Sequence, residues 1–246
     1  MNNCKKHCFT CLLLLCTIAS MATEVPQLSI EPLAGGVYLH QSYHQTQSFG
    51  LVSANGLVVV NDGQAHLIDT PWSEPDTEQL VTWIHDQGWQ LAGSLPTHSH
   101  EDRAGGIGWL NKQGISTHAL ALTNDILQAN GKPSAAKAFT GPAYSWVPGT
   151  LEVYYPGGGH TVDNVVVWLP KHRLLFGGCL IRSMAAKGLG YTGEAKIDQW
   201  ADSVQRVIHR YPDVRTVIPG HGRIGDGVLL RHTHELAKKQ LIEPFQ

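Results

Sequence analysis

Charge is scarce in this chain of 246 residues and nearly balanced, with 18 basic against 20 acidic residues and a formal net charge of −2. There is no basic run and no aromatic platform, which argues against a nucleic-acid partner. With 15% charged and 42% hydrophobic residues, the composition is the reverse of a disordered chain. No apolar stretch reaches the 18 residues or so that a membrane-spanning helix requires. Cysteine is also sparse, five in all, and four of them (Cys4, Cys8, Cys11 and Cys16) lie within the first sixteen residues. Histidine and glycine are plentiful instead, at 14 and 26.

The N-terminus accounts for the clustered cysteines. Lys5 and Lys6 precede an apolar run from Phe9 to about Ala19, and Ser20-Met21-Ala22 offers small residues for cleavage. Residues 1–22 therefore read as a secretory signal peptide, with the mature protein exported to the periplasm and no membrane association after cleavage. Removal leaves Cys179 as the sole thiol, so no internal disulfide can form and that thiol is a bystander, a nucleophile or a metal ligand.

Residues 23–246 read as one domain, since no Pro/Ser-rich linker divides them. Short apolar or alternating runs at Val37–His40, Gly50–Ser53, Leu57–Asn61 and His66–Asp69 predict strands. Asn55-Gly56 and Asp62-Gly63 predict hairpin turns between them. Ser73 and Asp76 form a capping box for a helix with Leu80, Val81 and Ile84 on its apolar face, ending at Gly88. A further strand precedes Thr97, and a short helix lies between Gly106 and Gly114. The second half repeats this grammar: strands at Glu152–Tyr155, Asn164–Leu169 and Leu174–Phe176, then a helix capped by Asp198. A strand at Thr216–Ile218 and a C-terminal helix complete it. This order predicts an α/β (α+β) fold, two ββα halves packed as a four-layer αββα sandwich.

Chemistry concentrates in Thr97-His98-Ser99-His100-Glu101-Asp102-Arg103-Ala104-Gly105-Gly106, just after a predicted strand. In extended backbone, residues two apart point the same way, so His98 and His100 can approach one cation and Asp102 another beside it. Gly105 and Gly106 are expected to let the chain turn sharply beneath them. His160 follows a strand end and a glycine-rich turn, Cys179 follows Phe176-Gly177-Gly178, and His221 sits in Pro219-Gly220-His221-Gly222. Three histidines plus an Asp-Cys-His set supply two zinc-type sites, each with three protein ligands and an open position, which is the catalytic pattern. The remaining histidines lack this context. His85, His209, His232 and His234 read as helix surface, His40, His66, His118 and His172 as ordinary strand or turn residues, and His44 as part of a solvated loop.

These residues resemble the metallo-β-lactamases, and within them subclass B1. The resemblance runs from about Leu28 to the C-terminal helix. It is carried by Leu67-Ile68-Asp69-Thr70-Pro71-Trp72, HSHEDRAGG, YPGGGHTVDNVVVWLP, LLFGGC and PGHG. It implies that His98, His100 and His160 hold a first zinc, and that Asp102, Cys179 and His221 hold a second. Related hydrolases typically carry His-x-His-x-Asp-His with a bridging carboxylate. Arg103 and Cys179 stand at those places here and favour the β-lactamase subclass. Arg182 replaces the common substrate-binding Lys, and Tyr191 replaces an Asn proposed to assist the oxyanion. Phe49 corresponds to an aromatic of a mobile flap spanning residues 43–49 and Trp72 to the pocket floor, while Asp69 is itself a candidate for orienting the ligands.

The implied activity is hydrolysis of the β-lactam amide in penicillins, cephalosporins and carbapenems by a zinc-bound hydroxide, conferring antibiotic resistance. Asp102 orients the nucleophile, no acyl-enzyme forms and no Ser-x-x-Lys nucleophile is expected. The implied cofactors are two Zn2+ per chain, the partner is a small-molecule β-lactam, and the protein is a monomer. Two alternatives stand beside this reading: a thioesterase or lactonase of the same superfamily, and an exported zinc-binding protein without catalysis.

Overall fold

The computed structural model describes residues 25–243; the expected signal peptide, residues 1–22, lies outside them. Five strands, β1 (Ser29–Ala34), β2 (Val37–Thr46), β3 (Gly50–Asn61), β4 (Gln64–Ile68) and β5 (Gln90–Leu95), form one sheet in sequential order. The first four are antiparallel neighbours. Helix α1 (Glu74–Asp86) then carries the chain over, so that β5 joins parallel to β4. Helices α2 (Glu101–Ala104) and α3 (Ile107–Lys112) follow, with a small parallel pair, β6 (His118–Leu120) and β7 (Lys137–Phe139), around α4 (Ala121–Ala129).

The second sheet repeats the scheme. Strands β8 (Ala143–Val147), β9 (Leu151–Tyr154), β10 (Val166–Leu169) and β11 (Leu174–Gly178) are antiparallel. Helix α5 (Ile197–Arg210) crosses to β12 (Thr216–Pro219), which pairs parallel to β11, and α6 (Val228–Ile242) closes the described chain.

The strand alternation decides the layering. Leu57, Val59 and Ile68 turn inward and meet Val153, Val167, Phe176 and Ile218 of the other sheet. The residues between them turn outward: Val58 and Leu67 onto Leu80, Val81 and Ile84 of α1, and Val166, Leu175 and Val217 onto Trp200, Val204 and Val207 of α5 and Leu229 and Leu230 of α6. Each sheet is thus apolar on both faces, and the four layers α, β, β, α are the predicted sandwich. Burying one such aliphatic side chain stabilises by roughly 1.5–3 kcal/mol, so three contiguous clusters hold the frame rigid.

Local expectations differ from the structure at three places. Asn55-Gly56 is no turn but lies buried within β3, where Gly56 pairs across the sheet with His40. A Cβ at Gly56 would collide with the His40 ring and with the Ile68 carbonyl, so the glycine provides space rather than a bend. The cap of α5 is Lys196, not Asp198, which stands inside the first turn and there suits the helix dipole. Gly105 and Gly106 have ordinary right-handed backbone (φ −58° and −90°). They too are required for space, since a Cβ on Gly105 would meet the carbonyls of Trp72 and Glu101 at 2.6 Å.

Candidate metal centre

Parallel strands end side by side at one edge of each sheet, and the loops leaving those ends carry the functional residues. Asp69 follows β4, residues 97–102 follow β5, Cys179 follows β11 and His221 follows β12. His160 comes from the connection between β9 and β10. The six predicted ligands converge here. Donor atoms of His98, His100 and Asp102 lie within 4.8 Å of one another, as do those of Asp102, Cys179 and His221, and those of His98, His160 and Cys179. The His98, His100 and His160 rings are 4.6–5.0 Å apart between centroids, all edge to face. His160 Nε2 faces His100 Nδ1 at 3.2 Å.

His98 and His100 do not sit on an extended segment as expected. Residues 97–100 bend out of β5, and His100 is the cap residue of the four-residue α2. The bend, not strand alternation, brings the two rings together and delivers Asp102 in the next turn.

The donor set fits metal ions on two grounds. His98 Nε2 is buried with no hydrogen-bond partner among the described residues, an arrangement whose desolvation is costly unless something else binds the nitrogen. Burial first, then the neighbouring imidazoles, hold His98 and His160 well below the ordinary histidine pKa, so both are neutral and present lone pairs. The other set joins a thiol, a carboxylate and an imidazole, with His221 Nε2 3.3 Å from Cys179 Sγ and 3.2 Å from the Asp102 carboxylate. That mixture suits zinc.

Arg103 organises the second set, a role that sequence reading missed. Its side chain is fully buried. One nitrogen donates to the Asp102 carboxylate at 2.8 Å, to Cys179 Sγ at 3.1 Å and to the Gly220 carbonyl at 2.9 Å; the other reaches Asp69 at 3.2 Å and the Asn55 carbonyl. Burial disfavours the Asp102 carboxylate, but Arg103 and then His221 hold it well below the usual carboxylate range. Burial would also lower His221, yet Cys179 and Asp102 push it up to about 10.

Asp69 is buried in left-handed backbone (φ 58°), unusual for a residue with a side chain. It accepts from Thr97 N and Thr97 Oγ1 as well as from Arg103, and so ties the His98 loop to the guanidinium. Burial pushes its carboxyl up to about 7 against the pull of Arg103 and Thr97. The imidazole ring of His40, read as ordinary, bonds the Asp69 carbonyl at 3.1 Å. Asn55 Nδ2 donates to the Pro219 and Gly222 carbonyls at 2.8 and 2.9 Å, fastening the His221 loop to the opposite sheet. His221 Nδ1 faces the Ser53 carbonyl at 2.7 Å, leaving Nε2 toward Cys179 and Asp102. Asp163, likewise missed, accepts from Ser99 N at 3.0 Å.

A cavity of about 520 Å³ opens over these groups, lined among others by Phe49, Trp72, Asp102, Arg182, Tyr191 and His221. The segment 43–49 is not a loop between strands: β2 runs on to Thr46, so Phe49, 58% exposed, stands at a hairpin tip. His44 stacks on Trp72 with centroids 5.1 Å apart. Arg182 lines the wall with its Nε buried and unpaired among the described residues. One Ser-x-x-Lys spacing, unnoticed in the sequence, does occur at Ser134–Lys137, but neither residue lines this cavity.

No family model matches the chain. A protein of Pseudomonas aeruginosa named metallo-beta-lactamase type 2 is 41% identical over 239 residues, spanning 97% of this chain and 96% of that protein. One of Bacteroides fragilis with the same name is 34% identical, spanning 96% and 97%. Among solved structures, TMB-1 is 56% identical with a TM-score of 0.87, covering 88% of this chain and all of that one. The DIM-1 metallo-beta-lactamase is 55% identical with a TM-score of 0.84, covering 88% and 99%.

Proposed function

Because the chain belongs to the metallo-β-lactamase family, as a β-lactam hydrolase, we propose that it opens the amide ring of penicillins, cephalosporins and carbapenems with two zinc ions and confers resistance to them. The convergence of six donor side chains from four loops, with His100, Asp102, His160 and His221 lining one open cavity, carries this reading. The six donors, with Arg103 directly after Asp102 and Cys179 in the second set, follow the pattern of subclass B1. His98, His100 and His160 would hold one zinc; Asp102, Cys179 and His221 would hold the other. When bound, zinc supplies Lewis acidity and a hydroxide nucleophile near neutral pH.

The chain's own residues do the rest. Asp102, kept ionised beside Arg103, accepts a hydrogen bond from the attacking water and aims it at the ring carbonyl. Arg182 binds the substrate carboxylate through its planar fork, a bidentate geometry that the more common lysine lacks. Phe49, Trp72 and Tyr191 give apolar contact and keep bulk water from the reacting amide. No serine or acyl-enzyme takes part. Residues 1–22 direct export to the periplasm, where the mature domain acts as a monomer.

The test is carbapenem hydrolysis by purified mature protein. Chelator should abolish turnover and added zinc restore it, whereas activity that survives thorough demetallation rejects the mechanism. Arg182→Ala should raise KM for carboxylate-bearing substrates about tenfold and leave kcat nearly unchanged.

A further inference from the structure

The wall of the cavity between Arg182 and the rim carries two groups that neither the metal chemistry nor the carboxylate contact uses. Tyr191 is 49% exposed. Its hydroxyl is folded against Gly193, where a Cβ would meet it at 2.5 Å, and its ring lies edge-on to His100 at 6.0 Å. That posture offers the cavity an aromatic surface, not a phenol donor aimed at a reacting carbonyl. Glu194 is also exposed and lines the same cavity. One of its oxygens bonds His100 Nε2 at 2.7 Å, while the other has no donor among the described residues.

The nearby cations do not neutralise it. Lys132 is paired with Glu101 at 3.3 Å, and the Arg182 guanidinium packs under Gly190 with the substrate carboxylate to serve. Along this wall the chain therefore presents a cation, an aromatic surface and an anion in order. With its carboxylate on Arg182, a bicyclic β-lactam whose neighbouring substituent extends along this wall meets the other two. A positive charge there gains both a carboxylate and a ring quadrupole.

Resting on the hydrolase reading above, we propose that Tyr191 and Glu194 form a subsite for a positively charged substituent, so that the enzyme favours zwitterionic β-lactams over anionic ones. Glu194 is then a specificity residue as well as a brace on His100. The two roles separate experimentally: a brace affects every substrate alike, and a charge subsite does not.

The experiment uses two cephalosporins with the same nucleus and acyl side chain, one bearing a pyridinium substituent and the other a neutral ester. Comparing the ratio of their KM values between wild type and variants cancels their intrinsic difference in reactivity. In Glu194→Gln the ratio should move about threefold against the cationic compound, and in Tyr191→Leu about twofold. Raising salt should erode the wild-type preference and leave that of Glu194→Gln unchanged. Binding of the two intact compounds to chelator-treated protein, followed by tryptophan fluorescence, should show the same loss without turnover. Equal changes for both compounds in both variants, or a salt-independent wild-type ratio, would overturn the subsite. Failure of the wild type to hydrolyse either compound would instead refute the hydrolase reading.

Discussion

The imidazoles of His98, His100 and His160 meet one another almost without intermediaries, whereas Asp102, Cys179 and His221 are gathered around the buried guanidinium of Arg103. In the first cluster burial holds His98 and His160 well below the ordinary histidine pKa, and His98 carries an unpartnered nitrogen. Packing positions it, including the Trp200 ring 5.8 Å from His160. The second cluster is ionic, and its shape depends on charge compensation supplied by the protein itself. Neutral ligands can wait in a packed frame. A buried carboxylate cannot, without a fixed cation to offset its desolvation.

If that contrast holds, Arg103→Met should have the largest effect. It strands Asp102 as a buried anion and should lower stability by roughly 3–5 kcal/mol in denaturant titration. Zinc stoichiometry should fall by one equivalent while the histidine cluster keeps its ion. Loss of both equivalents in a folded variant would erase the distinction between the clusters.

Acid sharpens the comparison next, through His40 beneath Asp69. Burial, only partly offset by the bond to the Asp69 carbonyl, lowers its pKa to about 4. Between that value and about 6.5 the unfolded chain binds a proton that the folded protein does not, so stability falls as pH falls through this window. Wild type relative to His40→Gln should lose roughly 2–3 kcal/mol from pH 7 to pH 4. A constant difference would show that the ring does not report on the floor of the second cluster.

Asn55→Ala should cost about 1–2 kcal/mol by releasing the Pro219 and Gly222 carbonyls, and should weaken the second zinc more than the first. Glu194→Gln should cost least, under about 1 kcal/mol, because its bond to His100 is exposed to solvent. A large loss of stability there would mean that the first cluster is braced as the second is.

The same contrast marks what could be read from the chain. The six candidate donors were legible from local signals: His98, His100 and Asp102 from their alternate spacing after a strand, and His160, Cys179 and His221 from strand ends beside glycine. The layers were legible because apolar residues alternate along the strands. Arg103 was visible only as a departure from a related motif, since its partners Asn55, Asp69, Cys179 and Gly220 are far apart in the sequence. Asn55-Gly56 misled for a similar reason: a turn dipeptide inside β3 serves a latch to the opposite sheet and a gap for His40. Glu194 lies in irregular chain ahead of α5, where no periodicity points to a role.

The direct test of the paired centre is anomalous diffraction at the zinc edge from crystals of the mature protein grown with zinc. Two peaks are predicted, one enclosed by His98, His100 and His160 and the other by Asp102, Cys179 and His221. A single peak shared among all six side chains, or peaks elsewhere, would contradict it.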